Sequence, residues 1–177
     1  MPVPDAKPRF RKVQAARIPF LIVVLCTTFP SYAQTIQAKP AESARVLNKF
    51  IPVLRAMYAA SNRGDFDAAV APLDPQIEWT EPAEFPGGGT CHGRGAVKGY
   101  LKQSRDGWAE GSSEPERFIT AGDHIVVFVH AKFRPKDSSQ WQEVRLADVY
   151  TVRGGKIVQM NAFADRDRAL NWAGANT

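Results

Sequence analysis

Cysteine is nearly absent from the 177-residue chain, which has only Cys26 and Cys91. Cys26 lies in an N-terminal segment expected to be removed, so Cys91 is left alone and no internal disulfide can form. Stability must come from packing, for which about 144 residues is a comfortable single-domain length. Long hydrophobic runs are also missing. The apolar stretch Ile18 to Phe29 covers 12 residues, whereas a membrane span needs about 20. Histidine is scarce, with His92, His124 and His130 only. His124 and His130 share strand parity but stand about 20 Å apart along an extended chain, so they cannot ligate one ion and no metal site is expected. Gly87-Gly88-Gly89 lacks the Gly-Lys-Ser/Thr ending of a phosphate loop. No serine-nucleophile motif or nucleotide fingerprint is found, and no cofactor is expected.

The first 33 residues have the layout of an export signal. Lys7, Arg9, Arg11, Lys12 and Arg17 form a basic start, the apolar stretch follows, and Ser31-Tyr32-Ala33 supplies a small-x-small cleavage pattern. The chain is therefore expected to be exported, periplasmic or secreted, with cleavage after Ala33 and no membrane association afterwards. That segment holds five of the 23 Lys and Arg but one of the 18 acids, leaving 18 bases against 17 acids. The basic character belongs to the signal, so nucleic acid is not an expected partner. Residues 34–42 read as a polar tether and 43–177 as the folded domain.

From Ser43 to Asn62, Val46, Leu47, Phe50, Val53, Leu54, Met57 and Tyr58 recur at helical spacing, with Pro52 kinking the helix or starting a second segment. Asp65 can cap a short helix that the Asp74-Pro75 turn ends. Ile77 to Glu81 reads as a strand, Pro82 to Gly93 as a loop, and Val97, Tyr100, Leu101, Ser104 and Trp108 as one face of a third helix. Beyond Glu116 the period changes to two. Arg117–Thr120, Ile125–Phe133, Trp141–Val152 and Lys156–Phe163 read as strands joined by hairpins, and Arg166–Trp172 as a closing helix that Asp165 caps. Helices first and an antiparallel run afterwards indicate an α+β domain with helices on one face of a curved sheet, and hence a concavity.

Four stretches then carry a resemblance: Arg63-Gly64-Asp65-Phe66, Ile77-Glu78-Trp79-Thr80-Glu81-Pro82, Cys91-His92-Gly93-Arg94, and Gly155-Lys156-Ile157 with Phe163-Ala164-Asp165. In order and spacing the chain resembles the SnoaL-like, ketosteroid-isomerase-like branch of the nuclear transport factor 2-like superfamily. The resemblance implies a conical fold, three N-terminal helices packed on a strongly curved, mainly antiparallel sheet enclosing an apolar pocket, usually in a homodimer. It also implies a small apolar organic molecule as partner. In ketosteroid isomerases an Asp before the strand-ending proline is the general base, and a Tyr and a protonated Asp bind the enolate oxygen. Aligned on those motifs, Glu81 takes the base position, Met57 the Tyr position with Tyr58 one residue off, and Arg145 the oxyanion Asp position. Trp79, Trp108, Val149, Met160 and Ala162 are implied pocket walls, with Met57 and Tyr58 as ligand contacts.

Alternation puts Ile77, Trp79 and Glu81 on the buried face of their strand, aiming Glu81 at the concavity. There it serves as a general base or acid, or pairs with Arg145 as a simple ion pair. Arg145 shares a strand face with Ala147 and Val149, which suggests a pocket wall where it holds a developing oxyanion or makes a plain salt bridge. Asp148 is then expected outward, with Leu146 and Tyr150, and a register slip of one residue would reverse both assignments. Two functions follow: a cofactor-free acid/base isomerase, cyclase, dehydratase or hydrolase using Glu81 and Arg145, or a non-catalytic ligand-binding or dimerisation module.

Overall fold

The computed structural model describes residues 40–85 and 87–175; the expected export signal and most of the expected tether lie outside them. Helices α1 (Pro40–Asn48) and α2 (Ile51–Asn62) divide the first helical run. Pro52 sits in the first turn of α2, where its missing N–H costs no helical bond, so it starts a segment instead of bending one. Asp65 caps α3 (Phe66–Val70), its carboxylate accepting from the Ala68 N–H at 3.1 Å. The remaining helices are α4 (Arg94–Asp106) and α5 (Arg166–Trp172). Asp165 caps α5 by accepting from the N–H groups of Asp167 and Arg168.

Six strands, β1 (Leu73–Glu81), β2 (Gly89–His92), β3 (Trp108–Ala121), β4 (His124–Pro135), β5 (Gln142–Arg153) and β6 (Lys156–Phe163), form one sheet in the order β2-β1-β6-β5-β4-β3. Only the β1–β6 pair is parallel. Gly154 and Gly155, both at positive φ, make the tight β5–β6 turn that such a hairpin favours. Bulges in β1, β3 and β6 bend the sheet, giving it a concave face. That face, with α2 and α4, encloses the larger core of Leu54, Leu73, Ile77, Val97, Val127, Ile157 and their neighbours. The opposite face carries a smaller core in which Ala169 and Ala173 of the α5 segment pack on Val126, Ala147 and Val149.

Three boundaries differ from the sequence reading. β1 begins at Leu73, since the Asp74-Pro75 turn is absorbed as a bulge in which Asp74 Oδ1 accepts from the Gln76 N–H at 2.9 Å. The expected loop before α4 contains β2, which pairs along β1, with Cys91 half-buried opposite Trp79. β3 begins at Trp108 instead of near Arg117 because β4 supplies hydrogen-bonding partners along its whole length. Gly111 is required within it: a Cβ there would lie 2.5 Å from Phe133 Cβ. That close approach lets the Phe133 ring stack on Trp108 at 4.6 Å.

Candidate active site

A cavity of about 250 Å³ opens between the helices and the concave sheet face. α2 contributes Met57 and Tyr58, α4 Tyr100, Leu101 and Ser104, and β1 Trp79 and Glu81. β4 adds Val129, Ala131 and Phe133, and β5 adds Leu146, Asp148 and Tyr150. Each strand delivers alternate residues, as pleating requires. Among the described residues no Lys, Arg or His lines it.

Two carboxyl groups therefore share an apolar chamber without a cation. Glu81 accepts from the Trp79 indole N–H at 2.8 Å, the two side chains lying on one face of β1. Asp148 accepts from the Tyr58 hydroxyl, and the Tyr150 hydroxyl donates to the Tyr58 oxygen at 3.0 Å. The result is a relay Tyr150→Tyr58→Asp148 that joins α2 to β5. Burial, and then the charge of Asp148, push Glu81 up to about 8, against the opposing pull of the Trp79 and Tyr100 donors. Burial pushes Asp148 up to about 6, held back by the Tyr58 bond. Of the two, Asp148 ionises first and Glu81 holds its proton to the higher pH. Tyr58 and Tyr150, buried and beside Asp148, are held far above the ordinary phenol range and stay donors. A carboxyl near 8 can both release and take up a proton near neutrality, as a general acid or base must.

Comparison with known proteins shows what the chain is similar to. The sequence model of the SnoaL-like domain matches residues 54–160. The chain belongs to the SnoaL-like domain family. No curated protein matches it in sequence. Among solved structures, an NTF2-like protein of unknown function from Burkholderia pseudomallei is 24% identical, covering 69% of this chain and 95% of that one with a TM-score of 0.58. An NTF2-like protein from Burkholderia thailandensis is 30% identical, covering 63% and 87% with a TM-score of 0.57. A protein with a ketosteroid isomerase-like fold from Catenulispora acidiphila, in complex with trimethylamine, is 18% identical, covering 69% and 92% with a TM-score of 0.57. The SnoaL-like chain therefore has the NTF2-like cone fold: helices packed on a curved, mixed sheet.

Within this SnoaL-like domain, Met57, Tyr58, Trp79, Glu81 and Trp108 all line the cavity. Trp108 reaches it from the first residue of β3, not from α4. Arg145 does not: its side chain is 56% exposed on the opposite sheet face and donates to Glu116 at 2.9 Å. Val149 is fully buried on that same face, with Ala147 and Ala169. Met160 and Ala162 belong to the core around the cavity but do not line it. Asp148, expected outward, points in. The reason is that Ala147 to Val152 are buried on both sides of the sheet, so polarity alternation cannot identify the pocket face. Tyr100 and Tyr150 were not proposed as site residues, although Tyr100 already lay on the apolar face read for its helix. His124 bonds to Thr151 at 3.1 Å and to Asp123 at 3.1 Å, and His130 to Glu143 at 3.2 Å, all away from the cavity.

Proposed function

We propose that this SnoaL-like domain binds a small, largely apolar organic molecule in its cone cavity and moves a proton on it without a cofactor. Glu81 carries the proton, and the Tyr150–Tyr58–Asp148 relay provides hydrogen bonding at the other side of the reacting group. Isomerisation, cyclisation, dehydration and hydrolysis all fall within this acid/base class. The observation that supports the reading best is Glu81 itself, a carboxyl held near 8 in an apolar chamber. Perturbed carboxylates in clefts mark functional sites more often than chance. Arg145 has no part in it, since it stands on the other face of β5.

The test is a thermal-shift screen with hydrophobic ketones, epoxides and polyketides, followed by turnover assays of wild type and Glu81→Gln on each hit. Turnover lost in Glu81→Gln while binding persists supports the enzyme. Binding without turnover in wild type supports instead a non-catalytic ligand-binding module. The same reading has residues 1–33 removed on export and the mature domain paired as a homodimer. N-terminal sequencing of the exported protein tests cleavage after Ala33, and light scattering tests the dimer.

A further inference from the structure

The charge of the cavity lining constrains the ligand further. Both ionisable acids that line it, Glu81 and Asp148, are negative when charged, and no lining residue can neutralise them. Arg105 has its guanidinium 5.7 Å from the centre of the Trp108 ring, bonds the Trp108 carbonyl, and is not a lining residue. Three rings stand edge to face around the acids: Tyr58 and Tyr150 at 87° with centroids 6.5 Å apart, and Trp79 and Tyr150 at 73° and 6.2 Å. In such edge-to-face packing the rim of one ring covers the face of the next, and Trp79 and Tyr58 meet the two acids through their N–H and O–H donors. Those donors are neutral and bring the carboxylates no countercharge.

We infer that the ligand is an organic ammonium compound, a protonated amine or quaternary nitrogen on an apolar body, with its charge set between Glu81 and Asp148. This rests on the cavity being the ligand site proposed above and adds the class of molecule. The cation supplies the countercharge that the walls lack, so it favours ionised carboxylates that burial otherwise penalises. An anionic ligand meets the opposite: like charges with no donor cation, which exclude carboxylates and phosphates. A neutral ligand gains the apolar contact only.

The test uses the full mature domain and the fluorescence of Trp79 and Trp108, both in the cavity wall. Three probes are titrated at pH 8: benzyltrimethylammonium, its uncharged isostere neopentylbenzene, and phenylacetate. The expected result is at least tenfold tighter binding of the cation than of its isostere, with no saturable binding of phenylacetate. Glu81→Gln and Asp148→Asn should each shrink that ratio, and the double variant should bring it to about one while still binding neopentylbenzene. Neopentylbenzene bound as tightly as the cation overturns this inference and leaves the apolar-ligand reading standing. Failure of all three probes to bind overturns both. A cation preference that survives the double variant overturns the assignment of the charge to these two carboxylates.

Discussion

Tyr58, on the second helix, donates its phenolic proton to Asp148, on the fifth strand, 90 residues away in sequence. The bond ties the second helix to the sheet at the cavity wall and holds Asp148 lower than burial alone would. Tyr58→Phe leaves a buried carboxylate without its donor and strips the Tyr150 hydroxyl of its acceptor. Loss of about 1–3 kcal/mol is expected at pH 7 from urea denaturation. The loss should shrink at pH 5, where Asp148 is protonated and no longer needs a donor to carry its charge.

Glu81 gives the protein a pH dependence of definite sign. Its proton is held more tightly in the native state than in the unfolded chain, where the ordinary value is 4.5. The group's contribution is therefore fully present below about pH 4 and is lost as pH rises to about 8, because the unfolded state ionises first. Glu81→Gln keeps an acceptor for the Trp79 N–H but removes the ionisation. The stability of the variant relative to wild type should climb from near zero at pH 4 to a few kcal/mol at pH 9, measured by parallel thermal or urea melts.

Arg145 pairs with Glu116, which also accepts from Arg166 at 3.0 Å, on the exposed side of the sheet. Glu116 keeps Arg166 when Arg145 is cut back. Arg145→Ala is expected to change ligand affinity and turnover by less than about twofold, as exposed pairs contribute little. A loss comparable to that of Glu81→Gln would mean that Arg145 reaches the reacting group.

Asp165 satisfies two N–H groups at the start of α5. Asp165→Ala should cost about 1 kcal/mol by urea denaturation. Because α5 covers the sheet face opposite the cavity, ligand binding should be unaffected.

Much of this was legible in the sequence, and the failures have a common physical cause. β1 alternates cleanly, so Trp79 and Glu81 could be aimed inward from Ile77 alone. The hairpins and the caps at Asp65 and Asp165 follow from local turn and capping chemistry. β5 is different because helices α2 and α5 cover its two sides. Arg145-Leu146-Ala147-Asp148-Val149-Tyr150 then reads equally well in either phase, and family alignment selected the phase that put Arg145 inside. The signal that could have decided it is bulk: Leu146 and Tyr150 flank Asp148 on the face that closes a wide cavity, whereas Ala147 and Val149 suit the close approach of the alanines near α5. The first half of β3 escaped because Ala, Gly, Ser and Glu there have little strand preference, and β2 because it is four residues long, opens on Gly89 and follows a Gly- and Pro-rich loop.

In the proposed reaction Glu81, lifted by burial and by the charge of Asp148 in a chamber lined by no described cation, is the proton carrier. That role is checked by following the Glu81 side-chain carboxyl carbon through a pH titration by NMR, in wild type and in Asp148→Asn. The expected wild-type midpoint lies near 8 and falls in Asp148→Asn yet stays above 4.5, since burial is the larger cause and the Asp148 charge the smaller. A midpoint near 4.5 that Asp148→Asn does not move would contradict it.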